Sequence, residues 1–333
     1  MPLEPAPMTQ TRGRASVLMS RSYSRDDGRG NRASVRAVSR PVVWSLFAML
    51  VVVWSSTWVA IRLGLDDTPP LLGAGVRFTL AGVVLLAVTA VRRRPMSTDY
   101  ALAALLGLLP FGFAYGLIYW AEQYVPSGLA AVLFGVMPLY VALLASVLLR
   151  EEPVHGRLVL GLVVAVGGLA VAFSESLALG EGDRALPAAA AMLVAPMASA
   201  GGNVAIRRRA GGLDPIVLNG WAMLGAGVGL LLVSAIGEAW GDAAWTPQAF
   251  AAIAYLALIG SAVTFVVLTI LLGELGALKM SLLPLLLPFG ALLFGAVIDG
   301  ERLTLTAAAG AVLVAGGLLV AQWPARRPVR RPA

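Results

Sequence analysis

The chain has 333 residues, 59% of them hydrophobic and 13% charged, with a mean hydropathy of +0.83 that no ordinary soluble domain shows. It carries no cysteine, which excludes a disulfide framework and a thiolate site. The formal charge of +7 does not imply a nucleic-acid partner, because the basic residues sit in tails and short loops, where they read as topology signals.

Residues 1–40 hold eight arginines among Ser, Gly and Asp without an apolar period, the composition of a disordered basic cytoplasmic tail. The first apolar run, 42–61, is long enough to span a bilayer and lacks a cleavage site, so it is not a signal peptide. Further runs follow at about 70–91, 101–121, 127–149, 157–174, 187–206, 214–236, 249–272, 277–298 and 303–322, and residues 324–333 form a second basic cytoplasmic tail. With the N-terminus inside, 21 of the 25 Lys and Arg residues fall on one side. That bias is the one expected of ten spans with both ends cytoplasmic.

Residues 128–172 are written a second time at 277–321. Each copy has an apolar run with prolines near its middle, a charged turn with a glutamate, and a glycine-rich apolar run. Glu152 answers to Glu301, Gly161 to Gly310, and Gly167-Gly168 to Gly316-Gly317. Such duplication identifies a half-unit used twice, 41–175 and 186–323. Five helices is an odd number, so the second copy enters the membrane upside down, the plan of many secondary transporters. The expected fold is therefore an all-α polytopic membrane protein of ten transmembrane helices in two inverted five-helix repeats.

Four stretches carry a resemblance: WSSTWVAIRLGL in span one, Arg77-Phe78 in span two, YVPSGLAAVLFGVMPLYVALLASVLLREE across spans three to five, and PLLLPFGALLFGAVIDGERLTLTAAAGAVLVAGGLLVA at the end. The chain resembles the EamA-type members of the drug/metabolite transporter superfamily over about residues 42–322. The resemblance implies two inverted EamA repeats around a central substrate cavity, in the inner membrane. It implies bending of spans four and nine during alternating access, and peripheral spans five and ten as a candidate homodimer contact. The arginine of span two has no equivalent in span seven, where Met223 stands near that place.

Proline inside a helix removes one ladder hydrogen bond, and in lipid the freed groups must be met by protein or by a wet cavity. Pro138, Pro284 and Pro288 are thus candidate hinges lining a pathway; the competing reading is a static kink. Arg77 is the strongly basic residue well within a span, where a charge is costly and usually faces a cavity or a partner. Three readings stand: snorkelling to the outer surface, pairing with Glu122, or holding an anionic group of the substrate. Trp54 and Trp58 lie one turn apart around Ser56, and Tyr115 and Tyr119 follow Phe111 along span three. Aromatic faces and hydroxyls of this kind hold amphipathic solutes, although many such stripes are packing. Asn203 and Trp221 are further polar points whose plainer reading is an interhelical hydrogen bond.

Glu122 and Glu274, at corresponding ends of spans three and eight, are candidate coupling carboxylates, against the simpler reading of solvated charges. Glu152 and Glu301 read as structural, each near the positive end of a helix. Gly161, Ala165, Gly168 and Ala172 share one helical face, repeated by Gly310, Gly317 and Ala321, which marks a packing face within the chain or in a dimer. The single lysine, Lys279, lacks a glycine-rich loop, and His155 stands alone, so neither a Walker A motif nor a histidine metal site is present. No cofactor, metal or catalytic group is expected. The reading is a secondary transporter and exporter of small organic metabolites such as amino acids, with the substrate and the lipid bilayer as partners. Drug or cation efflux and a lipid-carrier flippase are the alternatives, and a membrane enzyme or scaffold is disfavoured.

Overall fold

The computed structural model describes residues 40–144, 147, 156–178, 183–280, 283–300, 302 and 304–322. Glu152, Glu301, His155 and both basic tails beyond Arg40 and Gln322 lie outside the described residues. Among the described residues every regular element is helical. Six helical runs are long and apolar enough to cross a membrane: Arg40–Leu65, Pro70–Val91, Tyr100–Ala121, Ala185–Arg209, Pro215–Gly237 and Pro247–Leu272. Shorter apolar helices stand at Ser127–Val141, Val159–Ala172, Leu286–Asp299 and Leu305–Gly317. The chain is a multi-pass membrane protein.

In order, α1 is Arg40–Leu65, α2 Pro70–Val91 and α3 Tyr100–Leu106; a wide π-turn, Gly107–Ala114, leads into α4, Tyr115–Ala121. Helices α5, Ser127–Phe134, and α6, Met137–Leu144, form one broken span, followed by α7, Gly156–Ala178. The second half repeats the pattern with α8, Ala185–Arg209, α9, Pro215–Gly237, and α10, Pro247–Ala257. A second π-turn, Leu258–Val263, sits where the first half has its own, ahead of α11, Thr264–Met280. Helix α12, Leu283–Phe294, ends in a third π-turn at Gly295–Asp299, and α13 is Leu305–Gln322. The expected ninth span began at 277, but those first residues continue α11.

Helix starts follow local chemistry. Pro70, Pro215 and Pro247 occupy first-turn positions, where the missing N–H costs nothing. The Asp214 carboxylate accepts from Ile216 N at 2.9 Å and the Thr246 hydroxyl from Ala249 N at 3.1 Å, satisfying donors that α9 and α10 leave open. The N-terminus of α2 is capped from the other half of the chain: Glu238 accepts from Leu71 N at 2.8 Å and Leu72 N at 2.9 Å.

Two helix pairs that join the halves are built on glycine. A Cβ at Gly82 of α2 would lie 2.5 Å from the Leu224 backbone nitrogen of α9, and one at Gly75 would lie 3.0 Å from Leu231 N. Residue numbers rise along α2 as they fall along α9, so these second helices of the two halves run antiparallel. Helices α7 and α13 behave alike. A Cβ at Gly168 would meet Val314 N at 2.8 Å, and one at Gly317 would meet Gly161 O at 2.5 Å. The small-residue stripe is thus spent within the chain. In lipid, where apolar side chains gain nothing by leaving solvent, such backbone approach supplies the dispersion contacts that hold helices together.

The turns at the two ends of the bundle are also matched across the halves. At one end, the α2–α3 and α8–α9 turns are joined by Arg94 to Asp214 at 3.0 Å and Arg209 to Asp99 at 2.7 Å. At the other, the α1–α2 and α9–α10 turns are joined by Thr246 to Asp67 and by Ala244 N to Asp67 O at 2.7 Å.

Candidate functional site

Between the halves lies a cavity of about 130 Å³. Its walls come from α1, the Pro110 π-turn, α4, the α5–α6 break, α8, α11 and α12. Pro138 explains the break. It has no N–H to give the Phe134 carbonyl, and the ladder resumes with Leu139 N on Val136 O at 2.9 Å, a tighter three-residue step. Pro138 is buried and faces the cavity. Pro284, near the start of the described part of α12, also lines it. Pro288 lies inside α12 and does not line the cavity. It sits against the α5–α6 break, its Cγ 3.4 Å from where a Gly135 Cβ would be.

One wall is aromatic. Trp54 packs on Phe265 with centroids 5.2 Å apart, Trp58 on Phe134 at 5.5 Å, and Phe265 reaches Tyr115 at 6.4 Å; all five line the cavity. The Trp54 indole N–H is buried without a hydrogen-bond partner. A second wall is polar. Ser199, Asn203 and Arg207 fall at i, i+4 and i+8 of α8 and so share one face turned to the cavity. The cavity's two ends differ. Ile61 and Ile118, each 2% exposed, close one, whereas the other holds Arg207, whose side chain is surface-exposed. Beyond the closed end Arg62 Nη1 donates to Glu122 O at 2.8 Å and Gln248 to Leu63 O at 3.1 Å.

Arg77 stands behind the aromatic wall. It is 0% exposed, so it does not reach the outer surface, and it is not among the cavity-lining residues. Its Nε donates to Ser261 Oγ at 2.9 Å and Nη1 to Tyr119 OH at 3.3 Å, while Nη2 has no partner. The guanidinium carbon lies 4.7 Å from the Tyr115 centroid, 5.0 Å from Phe78 and 5.9 Å from Tyr119. Each desolvated cation–π contact is worth roughly 1–2 kcal/mol. Three together offset a burial cost of about 3 kcal/mol.

The other sequence candidates are dispersed. Ser56 Oγ donates to Val53 O at 2.8 Å, which leaves it to accept from Tyr255 OH at 2.7 Å on α10, outside the cavity. Trp221 Nε1 donates to Met96 O at 3.0 Å and ties α9 to the α2–α3 turn. Glu122 is fully buried whereas Glu274 is exposed, so the two carboxylates occupy unlike environments. Trp54, Trp58, Tyr115 and Asn203 are brought together by the cavity. Sequence reasoning missed Phe265, Ser261 and Arg207. The Gly260-Ser261 pair in the middle of an apolar run was the available signal for the π-turn, and Arg207 was hidden in a basic triplet.

Both halves match the EamA-like transporter family, over residues 42–174 and 186–322. The chain belongs to that family. An uncharacterized transporter of Bacillus subtilis, YoaV, is 30% identical over 274 residues, covering 81% of this chain and 93% of its own. The uncharacterized inner membrane transporter YedA of Escherichia coli K12 is 30% identical over 275 residues, 79% of this chain and 85% of its own. A probable terminal-alkyne amino-acid exporter of Streptantibioticus cattleyicolor is 36% identical over 137 residues, 39% of this chain and 43% of its own. A solved crystal structure shares the fold with a TM-score of 0.62 at 19% identity, over 85% of this chain and 97% of that one.

Proposed function

We propose that this EamA-family protein is a secondary transporter that exports small organic metabolites such as amino acids across the inner membrane by alternating access. Its ten passes form two inverted halves with both termini in the cytoplasm. The observation that carries this reading is the cavity between the halves, closed at Ile61 and Ile118 and lined at the other end by the exposed Arg207. Antiparallel α2 and α9 support the inversion, and the basic Arg207 end is assigned to the cytoplasm by the positive-inside bias. On that assignment the structure is the inward-facing state.

The α5–α6 break supplies a hinge, since a helix lacking a ladder bond bends at lower cost than an intact one. Arg77, held by Ser261 and Tyr119, serves to fix α2 against the second half and to place Tyr115 in the wall. Glu122, buried beside the closed end, is the better placed of the two candidate coupling groups. The amino-acid exporter name of one relative favours metabolite export over drug efflux, lipid flipping and catalysis. The test is counterflow of labelled amino acids in proteoliposomes holding the full-length protein, with and without an imposed pH gradient. Saturable, competable counterflow is expected; solute movement no faster than in protein-free vesicles would sink the reading.

A further inference from the structure

We propose that the groove between α9 and the α3–α4 run binds an anionic phospholipid of the cytoplasmic leaflet, with an acyl chain along the glycine face of α9 and the phosphate held by Arg92 and Arg93. Lipid binding there is separate from transport and takes from that reading only that the α2–α3 turn is cytoplasmic. The groove holds about 810 Å³. Its floor is the close approach of the two runs, where a Gly107 Cβ would lie 2.8 Å from Ala222 O. Leu108 and Phe113 line one side, Gly225, Gly229 and Val233 the other. A Cβ at Gly225 or Gly229 would meet nothing within 4 Å, so these glycines are not spent on helix packing. The repeat makes the same point. Gly82 of α2 meets Leu224 of α9 and Gly227 of α9 meets Thr79 of α2, a reciprocal contact in which Gly82 answers to Gly227. On that register Gly225 and Gly229 stand where α2 carries Leu80 and Val84. The scaffold does not require glycine at either place; its effect is to leave a slot.

The dimensions select a hydrocarbon chain. From Trp221 to Glu238 the groove follows α9 for ~25 Å at a rise of about 1.5 Å per residue, most of a hydrocarbon core about 30 Å thick. Over that length its volume averages roughly 30 Å² in section, too narrow to seat a helix about 10 Å across. A chain entering from one leaflet reaches the midplane about 15 Å in, and within that depth it passes Gly225 and then Gly229. Trp221 and Tyr100, with ring centroids 6.0 Å apart, mark the cytoplasmic mouth, and the Trp221 N–H is tied to Met96 O at 3.0 Å. Charge selects the head and the leaflet. The turn that supplies Met96 opens with Arg92, Arg93 and Arg94. Arg94 is taken by Asp214 at 3.0 Å, whereas Arg92 and Arg93 are exposed and have no ion pair among the described residues. Arg93 is held at a φ of 50°, a left-handed conformation that glycine adopts freely and arginine only at a cost. A charge needed only to set topology has no reason to occupy a strained position. Arginine–phosphate hydrogen bonds are charge-assisted and two-pronged. At the far end of the groove stands Glu238, whose carboxylate accepts from Leu71 N and Leu72 N and would repel an anionic head.

Native mass spectrometry of the full-length protein in detergent, titrated with dioleoylphosphatidylglycerol or dioleoylphosphatidylcholine, reads head and chain separately. Wild type is expected to retain phosphatidylglycerol in preference to phosphatidylcholine. Gly225→Leu combined with Gly229→Leu fills the slot and should abolish that retention. Arg92→Gln combined with Arg93→Gln should erase the preference, by about fivefold for each charge removed. Arg208→Gln, an exposed charge assigned to the same side, should behave as wild type. Arg93→Gly relaxes the backbone, so its melting temperature should hold or rise while the lipid preference falls, a combination that a purely structural arginine would not give. Elution volume reports that each variant is folded, and the arginine variants decide the matter alone if the glycine variant does not fold. Equal retention of the two lipids by wild type, wild-type retention by a folded glycine variant, or the same loss in Arg208→Gln as in Arg93→Gly would each overturn the proposal. So would a lipid-free wild-type dimer that the glycine variant converts to monomer, because a second copy would then cover the groove. Binding in detergent is read whether or not the protein transports, so a failure of counterflow leaves this site standing.

Discussion

Two interfaces related by the repeat show where symmetry holds and where it stops. Helix α2 meets the π-turn Leu258–Val263 through Arg77, whose Nε is 2.9 Å from Ser261 Oγ. Helix α9 meets the matching π-turn Gly107–Ala114 with Met223 near the arginine's place. There a Gly107 Cβ would lie 2.8 Å from the Ala222 carbonyl oxygen. The backbone plan, a helix laid against a widened turn, is the same. One interface is tied by a buried cation and hydroxyls, the other by glycine contact, and an open apolar groove of about 810 Å³ runs beside it past Gly225 and Gly229. Duplication therefore preserves the scaffold, while the chemistry is assigned to one copy.

The largest effect is expected where the scaffold itself is struck. Gly82→Leu forces a side chain into the Leu224 backbone 2.5 Å away, which cannot yield as a flexible side chain would. A loss of about 3 kcal/mol or more, and little folded protein on size-exclusion chromatography, is expected. A Cβ at Gly229 meets nothing within 4 Å, so Gly229→Leu should elute as wild type. Arg77→Met strands the Ser261 and Tyr119 hydroxyls and should lower stability by about 1–3 kcal/mol, read as a shift in thermal midpoint. Met223→Leu at the counterpart site should change it by less than about 1.5 kcal/mol.

Hinge and pH effects are smaller. Pro138→Ala restores a donor for the Phe134 carbonyl, so counterflow should slow while the melting temperature holds or rises. The Leu102 N–H, and then Arg209, hold the Asp99 carboxyl below its ordinary value. A depressed folded-state pKa gives stability that is present above the unfolded value of about 3.9 and lost as pH falls through the folded one. The difference in melting temperature between wild type and Asp99→Asn should therefore be present at neutral pH and vanish in that acid range.

Much of the scaffold was legible because it depends on periodic, local signals. Apolar run length placed the helices, and the glycine stripe of α7 and α13 announced a close contact whose partner only three dimensions could name. Proline marked the α5–α6 break, but proline identity does not encode which face of a helix it stands on, so Pro138, which lines the cavity, and Pro288, which does not, looked alike. The site was less legible. Trp54, Trp58, Tyr115 and Asn203 were singled out as aromatic or amide groups in apolar runs and do converge on the cavity. Ser56 and Trp221 have the same signature and point elsewhere, because which face of a helix meets a cavity is set by neighbours distant in sequence. Arg207 was invisible for the opposite reason: three adjacent arginines satisfy the positive-inside bias, and that sufficient explanation concealed a residue that also lines the cavity.

The account depends on the two halves lying in opposite senses across the bilayer. Because the chain has no cysteine, single-cysteine labelling needs no background substitutions. Ser97→Cys, in the α2–α3 turn, and Gly241→Cys, in the equivalent α9–α10 turn, should react from opposite sides with a membrane-impermeant maleimide. Gly241→Cys is expected to label in intact cells and Ser97→Cys only after permeabilisation. Labelling of both from the same side would contradict the inverted architecture and the cavity built on it.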